Sequence, residues 1–104
     1  MIEITKYSDF EHNIGKIVKI IGKTTKEIWQ HFTILVETHP YMKYFDLEDG
    51  YQIVIYSKEP ISCENKVEIT GKLIKAEYSR TNPRSKIDDE YFEYQLIVNS
   101  WNCL

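Results

Sequence analysis

Between Lys16 and Lys23 the apolar positions keep the two-residue period of a strand. Val18, Ile20 and Gly22 fall on one face, and Ile17, Lys19, Ile21 and Lys23 on the other. The pattern returns downstream with Val67, Ile69, Gly71 and Leu73 in phase, so that "VKIIGKTTK" (18–26) and "VEITGKLIK" (67–75) read almost alike. A glycine inside such a run weakens a flat strand and marks a bend or bulge. The stretches that follow, "EIWQHFTILV" and "AEYSRTNPRS", share nothing. The likeness therefore points to two strands of one domain under one geometric demand, not to a duplication.

The clearest element is a hairpin. "YMKYFDL" and "YQIVIYSK" flank Glu48-Asp49-Gly50, a three-residue loop with glycine where positive φ is needed. This loop length sets Phe45 opposite Ile53, Lys43 opposite Ile55, Tyr44 opposite Val54 and Met42 opposite Tyr56. Phe45, Leu47, Ile53 and Ile55 then share one side, whereas a two-residue loop would scatter them across both.

Other segments are shorter or less periodic. Ser8-Asp9-Phe10-Glu11 predicts a helical turn with Ser8 as N-cap, ended by Asn13-Ile14-Gly15. Residues 29–40, "WQHFTILVETHP", fit both a strand and a helical stripe, and their Thr, Ile and Val content favours an extended arm or loop. "EPISCEN" (59–65) reads as a turn-rich connection. A polar loop is expected from about Tyr78 to Glu90. A last strand, "YFEYQLIVNSW", would turn Phe92, Tyr94, Leu96 and Val98 inward.

With 104 residues, 42% of them hydrophobic, residues 1–104 make one folded domain with a modest core. About five strands with few helices point to an all-β barrel or sandwich. No run approaches the ~20 apolar residues of a membrane span, and the N-terminus lacks the basic-then-apolar order of a signal peptide, so a cytoplasmic location and no membrane partner are expected. Cys63 and Cys103 are too few for a disulfide framework and read as reduced thiols. A net charge of −3 argues against a wholesale electrostatic grip on nucleic acid, though not against a local basic stripe.

The order of a small turn, a Gly-kinked strand, a tight hairpin, a second Gly-kinked strand and a last strand resembles the OB-fold, a five-stranded Greek-key barrel. "GKIVKIIGK" (15–23) is similar to the family's first strand and "KVEITGKLIK" (66–75) to its fourth. "FDLEDG" (45–50) resembles the hairpin of anticodon-binding and replication-factor-like OB domains. The resemblance covers roughly residues 8 to 101. Two features depart from it: the helix that commonly joins strands three and four is reduced to "EPISCEN", and the 29–40 connection is longer and more apolar.

The resemblance implies binding on the outward face of strands two and three, between the flanking loops. By the hairpin register that face presents Met42, Tyr44, Gln52, Val54 and Tyr56. Lys19 and Lys23 project from the first strand, and Arg80, Arg84 and Lys86 lie in the last loop. Rings interleaved with cations suit single-stranded DNA or RNA, since bases stack on the rings while cations track the phosphates. Against this, Tyr and Lys are ordinary on exposed β faces, and Asp46, Asp88, Asp89, Glu90 and Glu93 would repel phosphate. A protein-contacting role through 29–40 or a free strand edge, and a small-ligand site near Trp29 and His31, remain open.

No cofactor is called for. His31, Glu37 and His39, with the two cysteines, lack zinc-ligand spacing. The chain has no Gly-rich phosphate loop, nucleophile elbow or His-Glu-x-x-His, so a non-catalytic protein is expected. Trp29 and Trp101, each at the end of a β run, read as core or rim of a barrel mouth.

Overall fold

The computed structural model describes residues 2–25, 34, 36–80 and 89–104. Arg84, Lys86, Trp29, His31 and Asp88 lie outside the described residues, as does most of the 29–35 stretch. Among the described residues six strands run in chain order: β1 (Ile2–Ile4), β2 (Ile17–Thr25), β3 (Tyr41–Leu47), β4 (Gln52–Ser57), β5 (Val67–Arg80) and β6 (Asp89–Cys103).

Five of them close into a barrel. β2 pairs antiparallel with β3 and with β5, β3 with β4, β4 runs parallel to β6, and β6 returns antiparallel to β5. This is the five-stranded Greek-key OB barrel. β1 is additional: it lies parallel to Val18–Ile20, and at three residues it was too short to show any periodicity in the sequence.

Closure depends on the two glycines. β2 pairs with β5 from Ile17 to Gly22 and with β3 from Gly22 to Thr25, so Gly22 belongs to both ladders and is the point where the strand changes partner. A Cβ there would collide with the Asp46 carbonyl and the Phe45 ring. Gly71 sits beside the register shift between Thr70 and Gly71, and a Cβ at that position would strike the Ile97 carbonyl. The two similar stretches pair with each other across this seam, Val18 opposite Gly71, Ile20 opposite Ile69, and Gly22 opposite Val67.

The hairpin has the expected register, from Tyr41 opposite Ser57 to Asp46 opposite Gln52. Its loop is closed by Leu47 N–H donating to the Tyr51 carbonyl (2.8 Å) and Gly50 N–H to the Leu47 carbonyl (3.2 Å), with Gly50 at φ +94°. Phe45, Leu47, Ile53 and Ile55 face the core beside Val18, Ile20, Val67, Ile69, Leu73, Leu96 and Val98. Each such burial stabilises by about 1.5–3 kcal/mol before entropy is set against it.

The two barrel ends are closed differently. At the hairpin end, the expected Ser8-capped turn is instead a 3-10 turn over Tyr7–Asp9, entered through Lys6 with no side-chain cap. It begins earlier because Asp49 holds it: one carboxylate oxygen accepts from Tyr7 N–H at 2.8 Å, the other from Tyr51 N–H at 3.2 Å. Phe10 is thereby fully buried against Tyr94, and Tyr7 stacks on Tyr51 at 4.7 Å. At the other end, no helix joins β4 to β5, and Ile61 from the connecting loop is buried in its place.

Three expectations are corrected here. Cys63 and Cys103 are not separate thiols but a disulfide. They are 40 residues apart in sequence, yet the pairing of Val67 with Cys103 sets the end of β6 against the start of β5, just beyond Cys63. Phe92 has the inward parity of Tyr94, Leu96 and Val98 but is 48% exposed. The β5–β6 pairing continues to Arg80 opposite Asp89, whereas β2 stops pairing at Lys72, so Phe92 lies on a two-stranded extension past the barrel. Positions 78–80 and 89–90, expected in the loop, belong to these strands.

Candidate nucleic-acid interface

The outer face of β2, β3, β4 and β6 can be read row by row from the registers. Lys23 lies beside Asp46 and Gln52; Thr25 beside Tyr44, Val54 and Gln95; Met42 beside Tyr56 and Ile97. Every residue of β4 is buried, on this face as well as on the core face. Gln52, Val54 and Tyr56 are at most 5% exposed, and Gln95 is fully enclosed.

A polar network explains how these groups tolerate burial. The Tyr56 hydroxyl donates to Gln95 Oε1 at 2.7 Å and accepts from the backbone N–H of Ile34 at 3.0 Å. The backbone at Ile34, between β2 and β3, therefore reaches the outer face. Gln52 Nε2 donates to Asp46 Oδ1 at 2.8 Å. No buried side-chain nitrogen or oxygen among the described residues lacks a partner, as stability requires. Burial pushes the Tyr56 hydroxyl above its ordinary pKa of 10.0; Glu93 and Tyr44 add to the rise and the Ile34 N–H opposes it.

Met42, Tyr44, Lys23 and Lys19 keep some access to solvent. Met42 is 38% exposed, Tyr44 is half-buried, and Lys23 is exposed at the barrel edge. Lys19 is half-buried and its ammonium stands 3.5 Å from Glu68. Arg80 is the last residue of β5. The accessible part of the predicted face is thus β3 with the adjoining edge of β2, while β4 forms its floor.

Sequence reasoning missed a second aromatic group at the hairpin end. Tyr51, Tyr7, Phe10, Tyr94 and Phe92 are in successive ring contact, with Tyr51 53% exposed and Lys75 Nζ 4.5 Å above the Phe92 ring. Alternation in "YFEYQL" was the available signal, but it does not reveal where the barrel ends. Among the described residues no three His, Cys, Asp or Glu side chains gather as a metal site, and no helix is long and apolar enough to cross a membrane.

No protein-family model matches the chain, and no curated protein does. Among solved structures, that of U. maydis Replication protein A bound to ssDNA is similar over 100% of this chain and 72% of that one, with a TM-score of 0.56 and 17% identity. At that identity the likeness is one of fold, and it agrees with the strand order of the OB barrel.

Proposed function

We propose that this chain is a small, non-catalytic OB-fold module that binds single-stranded nucleic acid. The observation that carries the reading is the accessible outer face of β3: Met42 and Tyr44, one exposed and one half-buried, with exposed Lys23 one row further along the same face, opposite Asp46. An amphipathic ring and an ammonium on one face meet the two needs of a single strand, a stacking surface and phosphate neutralisation. The similar fold of U. maydis Replication protein A, solved with ssDNA, supports it. In this reading Tyr44 and Met42 meet the bases, while Lys19, Lys23, Arg80, Arg84 and Lys86 track phosphates. Gln52, Val54 and Tyr56 act from beneath as a rigid floor.

Fluorescence anisotropy with labelled homopolymers of DNA and RNA provides the test. Affinity should fall between about 50 and 200 mM salt, and Lys23→Ala should reduce the salt slope by about 0.7. Tyr44→Ala should weaken binding about 5- to 150-fold, the worth of one stacked base. Absence of binding at low salt, or binding indifferent to both substitutions, would refute the assignment.

A second reading, a protein adaptor, is favoured by one feature. Beyond Lys72 of β5 and before Gln95 of β6, neither strand has a third strand beside it among the described residues. Such an edge can accept an added strand from a partner. Protection of amides 75–80 and 89–94 from hydrogen exchange on adding a partner, but not on adding oligonucleotide, would favour this role.

A further inference from the structure

Lys43 breaks the pattern of its strand. Position 43 shares inward parity with Phe45 and Leu47 and lies directly opposite Ile55, which is fully buried. An apolar residue is expected there, yet the chain places an ammonium at the barrel end away from the hairpin loop. Lys19, also half-buried, has Glu68 at 3.5 Å; Lys43 has no carboxylate within ion-pair distance among the described residues. An ammonium without a protein counter-charge is a ready partner for a bound anion.

The surroundings form a receptacle. Lys43 opens into a groove of about 390 Å³ between the end of β2 and the β4–β5 loop, lined also by Thr24, Ile61, Ser62 and Cys63, with Glu64 completing the wall. The Thr24 and Ser62 hydroxyls make no hydrogen bond among the described residues and can donate. Buried Ile61 and the Cys63–Cys103 disulfide fix the loop that carries Ser62.

We infer that this groove is a binding site for a phosphate group, with Lys43 as its counter-charge and the hydroxyls of Thr24 and Ser62 as donors. A tetrahedral oxyanion accepts from several directions at once, which suits one cation flanked by hydroxyls on two separate segments better than it suits a planar carboxylate. The volume exceeds that of phosphate alone and lies in the range of small-ligand pockets, so it leaves room for a phosphate-bearing molecule of mononucleotide size. The phosphate can belong to a free nucleotide or to the end of a strand. Lys43 and Tyr44 point to opposite sides of β3, so the groove and the outer face use different side chains of that strand, and they meet at Thr25, which lines the groove and lies opposite Tyr44.

The experiment is an amide NMR titration with inorganic phosphate, adenosine monophosphate, and one oligonucleotide with and without a 5′-phosphate. Saturable shifts at Thr24, Lys43 and Ser62 are expected with phosphate and mononucleotide, lost in Lys43→Gln and retained in Lys43→Arg. If the oligonucleotide moves these amides only when 5′-phosphorylated, the source is a strand end; if only mononucleotide does so, it is a free nucleotide. Shifts that fail to saturate, or persist in Lys43→Gln with an unchanged melting temperature, overturn the proposal. Loss of oligonucleotide binding in Tyr44→Ala with phosphate binding intact would separate this site from the β3 surface.

Discussion

The Tyr56 hydroxyl donates a 2.7 Å hydrogen bond to Oε1 of Gln95, joining β4 to its parallel neighbour β6 on the outside of the barrel. Both residues are buried, and the same hydroxyl accepts the Ile34 N–H. A side chain whose parity marks it as a solvent-facing ring is thus a structural tie.

Tyr56→Phe should destabilise the fold by about 1–3 kcal/mol in urea unfolding, because buried Gln95 Oε1 and the part-buried Ile34 N–H lose their bond while the packing volume stays. Oligonucleotide affinity of the folded variant should be unchanged, unlike that of Tyr44→Ala. The pH dependence has a definite sign. The folded-state pKa of Tyr56 is raised, chiefly by burial, so its contribution is complete below about pH 10, where the unfolded phenol titrates, and declines as pH rises toward the folded value. The stability gap between wild type and Tyr56→Phe should therefore be constant from neutral pH and narrow above about pH 10; a gap that widens would contradict the network.

Reduction of Cys63–Cys103 should lower stability by about 2–4 kcal/mol, since the bridge closes a long loop in the unfolded chain. The double variant Cys63→Ser/Cys103→Ser should match the reduced protein in denaturant titration. Phosphate shifts at Ser62 should also weaken in it, because Cys63 lies in the groove wall. Equal unfolding midpoints with and without reductant would show that the pair does not form in solution.

Gly71→Ala should cost about 1–3 kcal/mol or more, and its partner in crowding is backbone, which cannot move aside like a flexible side chain. Gly50→Ala, by contrast, meets no atom and is penalised only through its positive φ. Thermal unfolding of the two variants should rank Gly71→Ala as the more damaging.

What the sequence disclosed follows from the range of the forces involved. The Phe45–Ile53 register was legible because loop length and alternation act within a dozen residues. The bends at Gly22 and Gly71 were legible because a glycine in a β run has few other uses. The disulfide was hidden because Cys63 and Cys103 are neighbours only once β5 and β6 have paired. The burial of Val54 and Tyr56 was hidden for a related reason: parity tells which side of a strand a residue occupies, not what lies over that side. Phe92 failed in the opposite sense, with inward parity but no barrel left to enclose it.

The seam between β2 and β5 has a further consequence. Across it the inward residues read Val18-Ile20-Gly22 against Gly71-Ile69-Val67, the same triplet in opposite directions about the Ile20–Ile69 pair. In its inward residues the seam is palindromic, with a local two-fold axis through the Ile20–Ile69 pair. Each strand's glycine faces the other strand's first valine, while the space beside Gly22 is taken by Phe45 and Asp46 and that beside Gly71 by Ile97 and Val98. The segments 18–22 and 67–71 are in this sense interchangeable parts: exchanging them would restore every inward side chain to its place.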